Sequence, residues 1–191
     1  MSAARGFQGQ SDNNGAASAT DIVECAAEAG LHPASDREIQ AAHSLAASLI
    51  GSDIATAETL RSAQSISGTT VLVTDDGNEV TGVLATLLLR DKGRAAIQAG
   101  RFDGVGLDLS MIARPDEIPA AFYAWGCAAE GRDAARAVVA GAAGLTRLFS
   151  FVRRFARAAT VAGARTLTVS MGYLPVAGVD DLYWLPAEAV S

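Results

Sequence analysis

Val71-Leu72-Val73-Thr74-Asp75-Asp76-Gly77-Asn78-Glu79-Val80-Thr81-Gly82-Val83-Leu84 is the stretch that settles the fold class of this chain. Thr69 to Thr74 is apolar and β-branched, Asp75 to Asn78 are turn formers, and Glu79 to Leu89 resumes the apolar strand pattern. The spacing predicts a β-hairpin. On its N-terminal side the period changes. Ser35-Asp36-Arg37-Glu38 is a capping box, and Ile39, Ala42, Leu45, Ala46 and Leu49 follow at helical spacing, so a helix is expected from about Asp36 to Ile50. Gly51 ends it. Ser52 or Asp53 then caps a second amphipathic stripe of Ile54, Ala57, Leu60 and Ala63 or Gln64. Asp21 to Leu31 reads equally as strand or helix. Residues 1–20 are rich in Ser, Asn, Gly and Gln without apolar periodicity, so a disordered tail is expected there.

On the C-terminal side of the hairpin, Arg90 to Pro119 is too long for an ordinary connection and implies a lid or small insert, with a helix from Asp91 to Ala99. Ala120 to Ala128, carrying Phe122, Tyr123, Trp125 and Cys127, reads as a buried strand in which Tyr123 packs. Arg132 to Phe149 is an Ala-rich helix, Arg154 to Ala159 another strand, and Val161 to Met171 a helix stopped by Gly172. Tyr173 to Val176 and Leu182 to Leu185 close the chain as two short strands. Hairpins make antiparallel pairs and a strand-helix-strand crossover makes a parallel one. The fold class is therefore α/β, with a mixed, mostly antiparallel sheet flanked by helices. One domain over residues 21–191 suffices for a chain of 191 residues.

Composition narrows the function classes. Charges interrupt every apolar run well short of the roughly 18 residues that span a bilayer, which predicts no membrane partner. Met1 to Thr20 lacks a secretory pattern, so a cytoplasmic protein is expected. Cys25 and Cys127 have no paired ligand spacing, which argues against a disulfide framework and a metal site. A formal charge of -6, with basic residues not interleaved with aromatics, argues against nucleic acid. Arg147, Arg153, Arg154 and Arg157 are the local exception. They read either as solvated charges or as an attraction for a phosphorylated small molecule.

Three phrases in order resemble the GNAT acyltransferase family: Leu31-His32-Pro33-Ala34-Ser35-Asp36, the hairpin from Val71 to Leu84, and Thr160-Val161-Ala162-Gly163-Ala164-Arg165 running to Met171-Gly172-Tyr173-Leu174-Pro175-Val176. The resemblance implies a GNAT-like sheet and a coenzyme A or acetyl-CoA cofactor. Its pyrophosphate would meet backbone N–H groups of a loop at the start of the helix after the fourth strand. Arg132-Asp133-Ala134-Ala135-Arg136-Ala137 falls at that place, with Ala135 where the family has Gly and Asp133 adding a negative charge. Without the resemblance, the same residues read as an ordinary helix start after Gly131. By the same resemblance Cys127, Ala128 and Ala129 form the strand end that pairs with the pantetheine arm, and Glu130 is the candidate base acting through a water. Thr168 stands where many family members carry a proton-donating Tyr, and Tyr173 stands at a core aromatic position. His32 and His43 fall away from the expected cleft.

Two functions follow. One is an acyl-CoA-dependent N-acyltransferase that acts on a small-molecule or peptide amine held by the loop from Arg90 to Pro119. The other is a non-catalytic module of the same fold, motivated by Asp133, Ala135 and Thr168. A homodimer through Met111-Ile112 or Tyr183-Trp184 competes with a core role for those residues.

Overall fold

The computed structural model describes residues 17–188. Most of the expected tail therefore lies outside the described residues. Its last part does not conform to the expectation, because Ser18 caps a helix, α1 (Ala19–Glu28), in a capping box with Asp21. This resolves the ambiguity over Asp21 to Leu31 in favour of helix. Ile22 and Ala26, one turn apart, are buried, while Glu24, Ala27 and Glu28 face solvent. The expected strand phrase beginning at Leu31 contributes only β1 (His32–Pro33).

Helix α2 (Asp36–Ile50) has the predicted capping box, with Glu38 N–H donating to Ser35 Oγ and the Ser35 N–H donating to the Glu38 carboxylate at 2.8 Å. Helix α3 (Ala57–Ser67) starts later than expected because Thr56, not Ser52 or Asp53, accepts the N–H of Thr59. The hairpin is β2 (Val71–Asp75) and β3 (Val80–Leu89), followed by α4 (Asp91–Gln98), a short 3-10 turn (Leu109–Met111) and β4 (Ala121–Ala129). Then come α5 (Arg132–Leu148), β5 (Arg153–Arg157), α6 (Val161–Arg165), a π turn (Thr166–Ser170), β6 (Leu174–Pro175) and β7 (Leu182–Leu185). The single helix expected from Val161 to Met171 is thus an α turn that widens into a π turn.

All seven strands form one sheet in the order β1-β2-β3-β4-β5-β7-β6. Every pair is antiparallel except β4 with β5, which is parallel as the intervening α5 crossover requires. Both outer strands are two residues long and contain a proline, which blunts the sheet edges. Alternation divides the core. Leu72, Leu84 and Phe122 pack under α1 and α5 with Ile22, Val138, Leu145 and Phe149. Val71, Val73 and Val83 face α2 and α3 with Ile39 and Leu60, and Leu87, Tyr123 and Phe155 face α4 with Ile97. Of the residues weighed above between core and dimer contact, Ile112 is buried, whereas Met111, Tyr183 and Trp184 are half-buried.

Candidate functional site

The site is built where β4 parts from β5. Ala121 to Ala124 pair with Arg153 to Ala156 of β5, and beyond Ala124 no described strand lies on that side of β4. On its other side β4 stays paired with β3 to the end, from Leu89 opposite Ala121 to Gly82 opposite Ala129. The register shifts at Ala85 and Thr86, which pair with Gly126 and Ala124, so Trp125 is an extra residue bulged into β4. Strict alternation would put Ala128 under α5. The bulge inverts it, so Ala128 joins the cluster under α2 and α3, while Cys127 sits opposite Leu84 on the α5 side. The result is a strand end whose β5-facing edge is open, leading directly into α5.

The start of α5 has no side-chain cap. Its N-cap is Gly131 at φ 82, a conformation that favours glycine, and the first turn leaves backbone N–H groups without intrahelical partners. Gly82 brings this turn close to the sheet: a Cβ there would lie 2.8 Å from Thr74 Cγ2, 3.0 Å from Val138 Cγ2 and 3.4 Å from Ala134 Cβ. Asp133 projects into solvent and is bridged by Arg136 at 3.2 Å, so its charge is partly offset within the turn. Ala134 is buried, Ala135 and Ala137 are half-buried, and Arg132 and Arg136 are exposed. Of the predicted cofactor residues, then, the structure brings Cys127, Ala129, Arg132 and Ala135 around one open edge and helix start. Ala128 and Ala134 point into the core, where only their main chain can face a ligand.

Glu130 is exposed at the end of β4, with its N–H donated to Thr81 O at 2.8 Å. Water reaches Cys127, yet the protein packed around it pushes its thiol up to about 11, so it stays protonated near neutral pH. Thr168 lies exposed in the π turn and donates to Ala164 O at 2.9 Å, so its hydroxyl is engaged within its own turn. Tyr173 is fully buried, as expected of a core aromatic. Burial raises its pKa, and its hydroxyl has no hydrogen-bond partner among the described residues. His32 lies on β1, three strands from β4, hydrogen-bonded to Glu38 at 2.9 Å, with Asp75 nearby.

The arginine group is not what the sequence suggested. Arg154 is buried at 3% exposure and holds the C-terminal segment, donating to Thr146 O at 3.2 Å, to Glu188 at 3.0 Å and to Pro186 O. Alternation is the reason: Arg154 falls on the α5 face of β5, and Arg153 and Arg157 fall on the other. Arg153 lies over the Trp184 ring at 5.4 Å, so the four arginines do not form one basic patch. The long connection from Arg90 to Pro119 is tied down rather than loose. Arg90 makes a bidentate pair with Glu117 at 2.7 Å, Lys92 reaches Asp108 at 2.7 Å, and the Trp125 indole donates to Gly104 O at 2.9 Å.

A search of solved structures returns one described as the crystal structure of acetyltransferase. It is 16% identical, covers 83% of this chain and 99% of its own, and superposes with a TM-score of 0.44. No protein-family model and no curated protein matches the chain. No helix among the described residues is long and apolar enough to cross a membrane.

Trp125 was missed as a functional feature because a bulge has no signature in an apolar run. Gly82 is the sequence signal that could have pointed to the approach of α5. A glycine inside a β-branched strand signals a close approach of something else.

Proposed function

We propose that the chain is an acyl-CoA-dependent N-acyltransferase of the GNAT type, and the observation that carries this reading is the open edge of β4 at Cys127 to Ala129 running into the uncapped N-terminus of α5. An extended amide-bearing arm can pair with an unpaired strand edge as another strand would. A pyrophosphate suits the free N–H groups and positive end of the helix dipole. Arg132 and Arg136 add charge at that end. In the reaction the amine nitrogen attacks the thioester carbonyl carbon, the C–S bond breaks, and the acyl group ends on nitrogen. The proton lost by the amine goes to Glu130 through a water, and the thiolate leaves to be protonated by solvent. Proximity supplies most of the rate.

A thermal-shift titration of the full chain with coenzyme A and acetyl-CoA tests this. A ligand bound only by the native state stabilises it by about 2.7 kcal/mol at a hundred times its Kd. We expect a clear upward shift, reduced in Arg132→Glu. No shift at millimolar ligand would sink the reading.

A second reading, a module that binds the cofactor without turning it over, is favoured by one observation. The Thr168 hydroxyl is engaged by its own helix and offers no acid comparable to a phenol. Binding without acyl transfer to any of a broad panel of amines would select it.

A further inference from the structure

His32, Glu38 and Asp75 come from three different elements and meet at the outer end of the sheet. The register brings the first and the last together. His32 of β1 stands opposite Val73 of β2, and Asp75 is two residues beyond Val73, so alternation returns it to the face that His32 shares. That face is the one covered by α2, and Glu38 lies in the first turn of α2. One donor atom from each residue, an imidazole nitrogen and two carboxylate oxygens, lies within 4.8 Å of the other two.

Each carboxylate is also held from its far side. One oxygen of Glu38 accepts the Ser35 N–H at 2.8 Å and the Ser35 hydroxyl at 2.5 Å, which leaves the other on His32 Nε2 at 2.9 Å. One oxygen of Asp75 accepts the Gly77 N–H at 2.7 Å, and the second has no hydrogen-bond partner among the described residues. The capping box and the hairpin turn explain these local bonds by themselves. They do not explain why an imidazole from a separate strand converges on the same point, with a second carboxylate beside the one it already pairs with. Hydrogen bonds that fix a ligand from behind are the usual way in which metal ligands are oriented. One ring nitrogen with carboxylate oxygens suits a borderline divalent cation such as zinc, whereas calcium and magnesium seek oxygen alone. Such an ion binds nitrogen and oxygen at about 2.0–2.2 Å, which spaces tetrahedral ligand atoms roughly 3.3 Å apart. The His32–Glu38 pair needs to open by only a few tenths of an ångström to reach that spacing, and the exposed Asp75 side chain is free to turn inward. The His32 and Glu38 side chains are 45% and 28% exposed, so the ion enters from solvent and keeps a position for water. The chain's overall charge of -6 favours a cation at long range.

We propose that His32, Glu38 and Asp75 form a binding site for one divalent cation of the zinc type, which clips the two-residue strand β1 and the start of α2 to the end of β2. No cysteine takes part, so the thiol spacing that speaks against a metal does not bear on this site. The role of the ion is to hold an outer strand that has few backbone bonds of its own. The open edge of β4 lies three strands away, so the site stands or falls independently of the acyltransfer reading.

The test is calorimetric titration of the full chain, first stripped with a chelator, with zinc chloride, and separately with calcium and magnesium chloride. One equivalent of zinc should bind with a Kd of about 10 μM or tighter. At a hundred times that Kd the unfolding temperature should rise by about 5 °C or more. Calcium and magnesium should bind at least about a hundredfold more weakly. His32→Gln and Asp75→Asn should each weaken zinc by about tenfold or more. Asparagine still accepts the Gly77 N–H, so the turn persists and the loss reports the ligand alone. His43→Gln, which removes the other histidine of the chain, should leave the affinity unchanged. An unchanged affinity in Asp75→Asn would reduce the cluster to a His32–Glu38 hydrogen bond and overturn the site. So would a zinc Kd above about 100 μM, or calcium binding as tightly as zinc. A thiolate-to-metal absorption band with cobalt chloride would put the ion on a cysteine and overturn it as well.

Discussion

Gly82→Ala should destabilise the protein by about 1–2 kcal/mol, although alanine is the better strand residue. Replacing glycine in a strand interior by alanine gains roughly 0.5–1 kcal/mol in backbone entropy. Against that, the new methyl would stand 2.8 Å from Thr74 Cγ2, 3.0 Å from Val138 Cγ2 and 3.4 Å from Ala134 Cβ. Neither close neighbour yields easily. Thr74 and Val138 are β-branched and stiff at χ1, and the alanine methyl has no rotamer to change. Relief must come from turning the Thr74 side chain out of its rotamer and from moving the first turns of α5 away from β3, and overpacking of this kind costs about 1–3 kcal/mol. Gly126→Ala, one strand over, is the control, because a Cβ there meets nothing within 4 Å, and it should be neutral or slightly stabilising. Urea unfolding at constant m-value reads both. Combining Gly82→Ala with Val138→Ala should give a loss smaller than the sum by at least about 0.5 kcal/mol, the signature of neighbours in contact. Since the same displacement moves the helix start from the end of β4, Gly82→Ala should also diminish the stabilisation by coenzyme A. Stability of Gly82→Ala equal to that of Gly126→Ala, or an additive cycle, would refute the argument.

Two further outcomes follow from the ion pairs. Arg154→Ala should cost about 2–4 kcal/mol by stranding the buried carbonyl of Thr146, emptying a buried side-chain site and releasing Pro186 O, whereas Glu188→Gln should cost under about 1 kcal/mol because that carboxylate is two-thirds exposed. Equal losses in urea unfolding would show that the pair, not the burial of Arg154, holds the C-terminal segment. Glu38 is held down from 4.5 to about 2 by hydrogen bonds from Ser35 and His32. Its lowered folded-state value means that its contribution is complete above pH 4.5 and is lost as pH falls through about 2. Glu38→Gln should therefore flatten the fall in stability across that window, measured by thermal unfolding against pH, and an unchanged slope would show that Glu38 is not its source.

Much of the secondary structure was legible from local signals. The capping box at Ser35, the hairpin turn at Asp75 to Asn78, the Gly131 start of α5 and the strand around Phe122 all depend on residues within a few positions of one another. Errors came where a boundary depended on something distant. Thr56 replaced Ser52 or Asp53 as a cap because the position of α3 is set by packing Leu60 and Ala63 on the sheet. Arg154 looked like one more surface charge, yet its partners Thr146, Pro186 and Glu188 are up to 34 residues away.

The same division holds at the site. Local sequence was enough to put a glycine-started helix behind an apolar strand, because turn chemistry and periodicity are short-range. It carried no information about the divergence of β4 from β5, since that depends on where a parallel partner stops. Nor did it show the Trp125 bulge, which turns Cys127 toward α5 by inserting one residue against β3. Pairing across the sheet, a long-range property, is what makes an ordinary strand end into an open edge. It also brings His32 and Asp75, 43 residues apart in sequence, to one corner of the sheet beside Glu38.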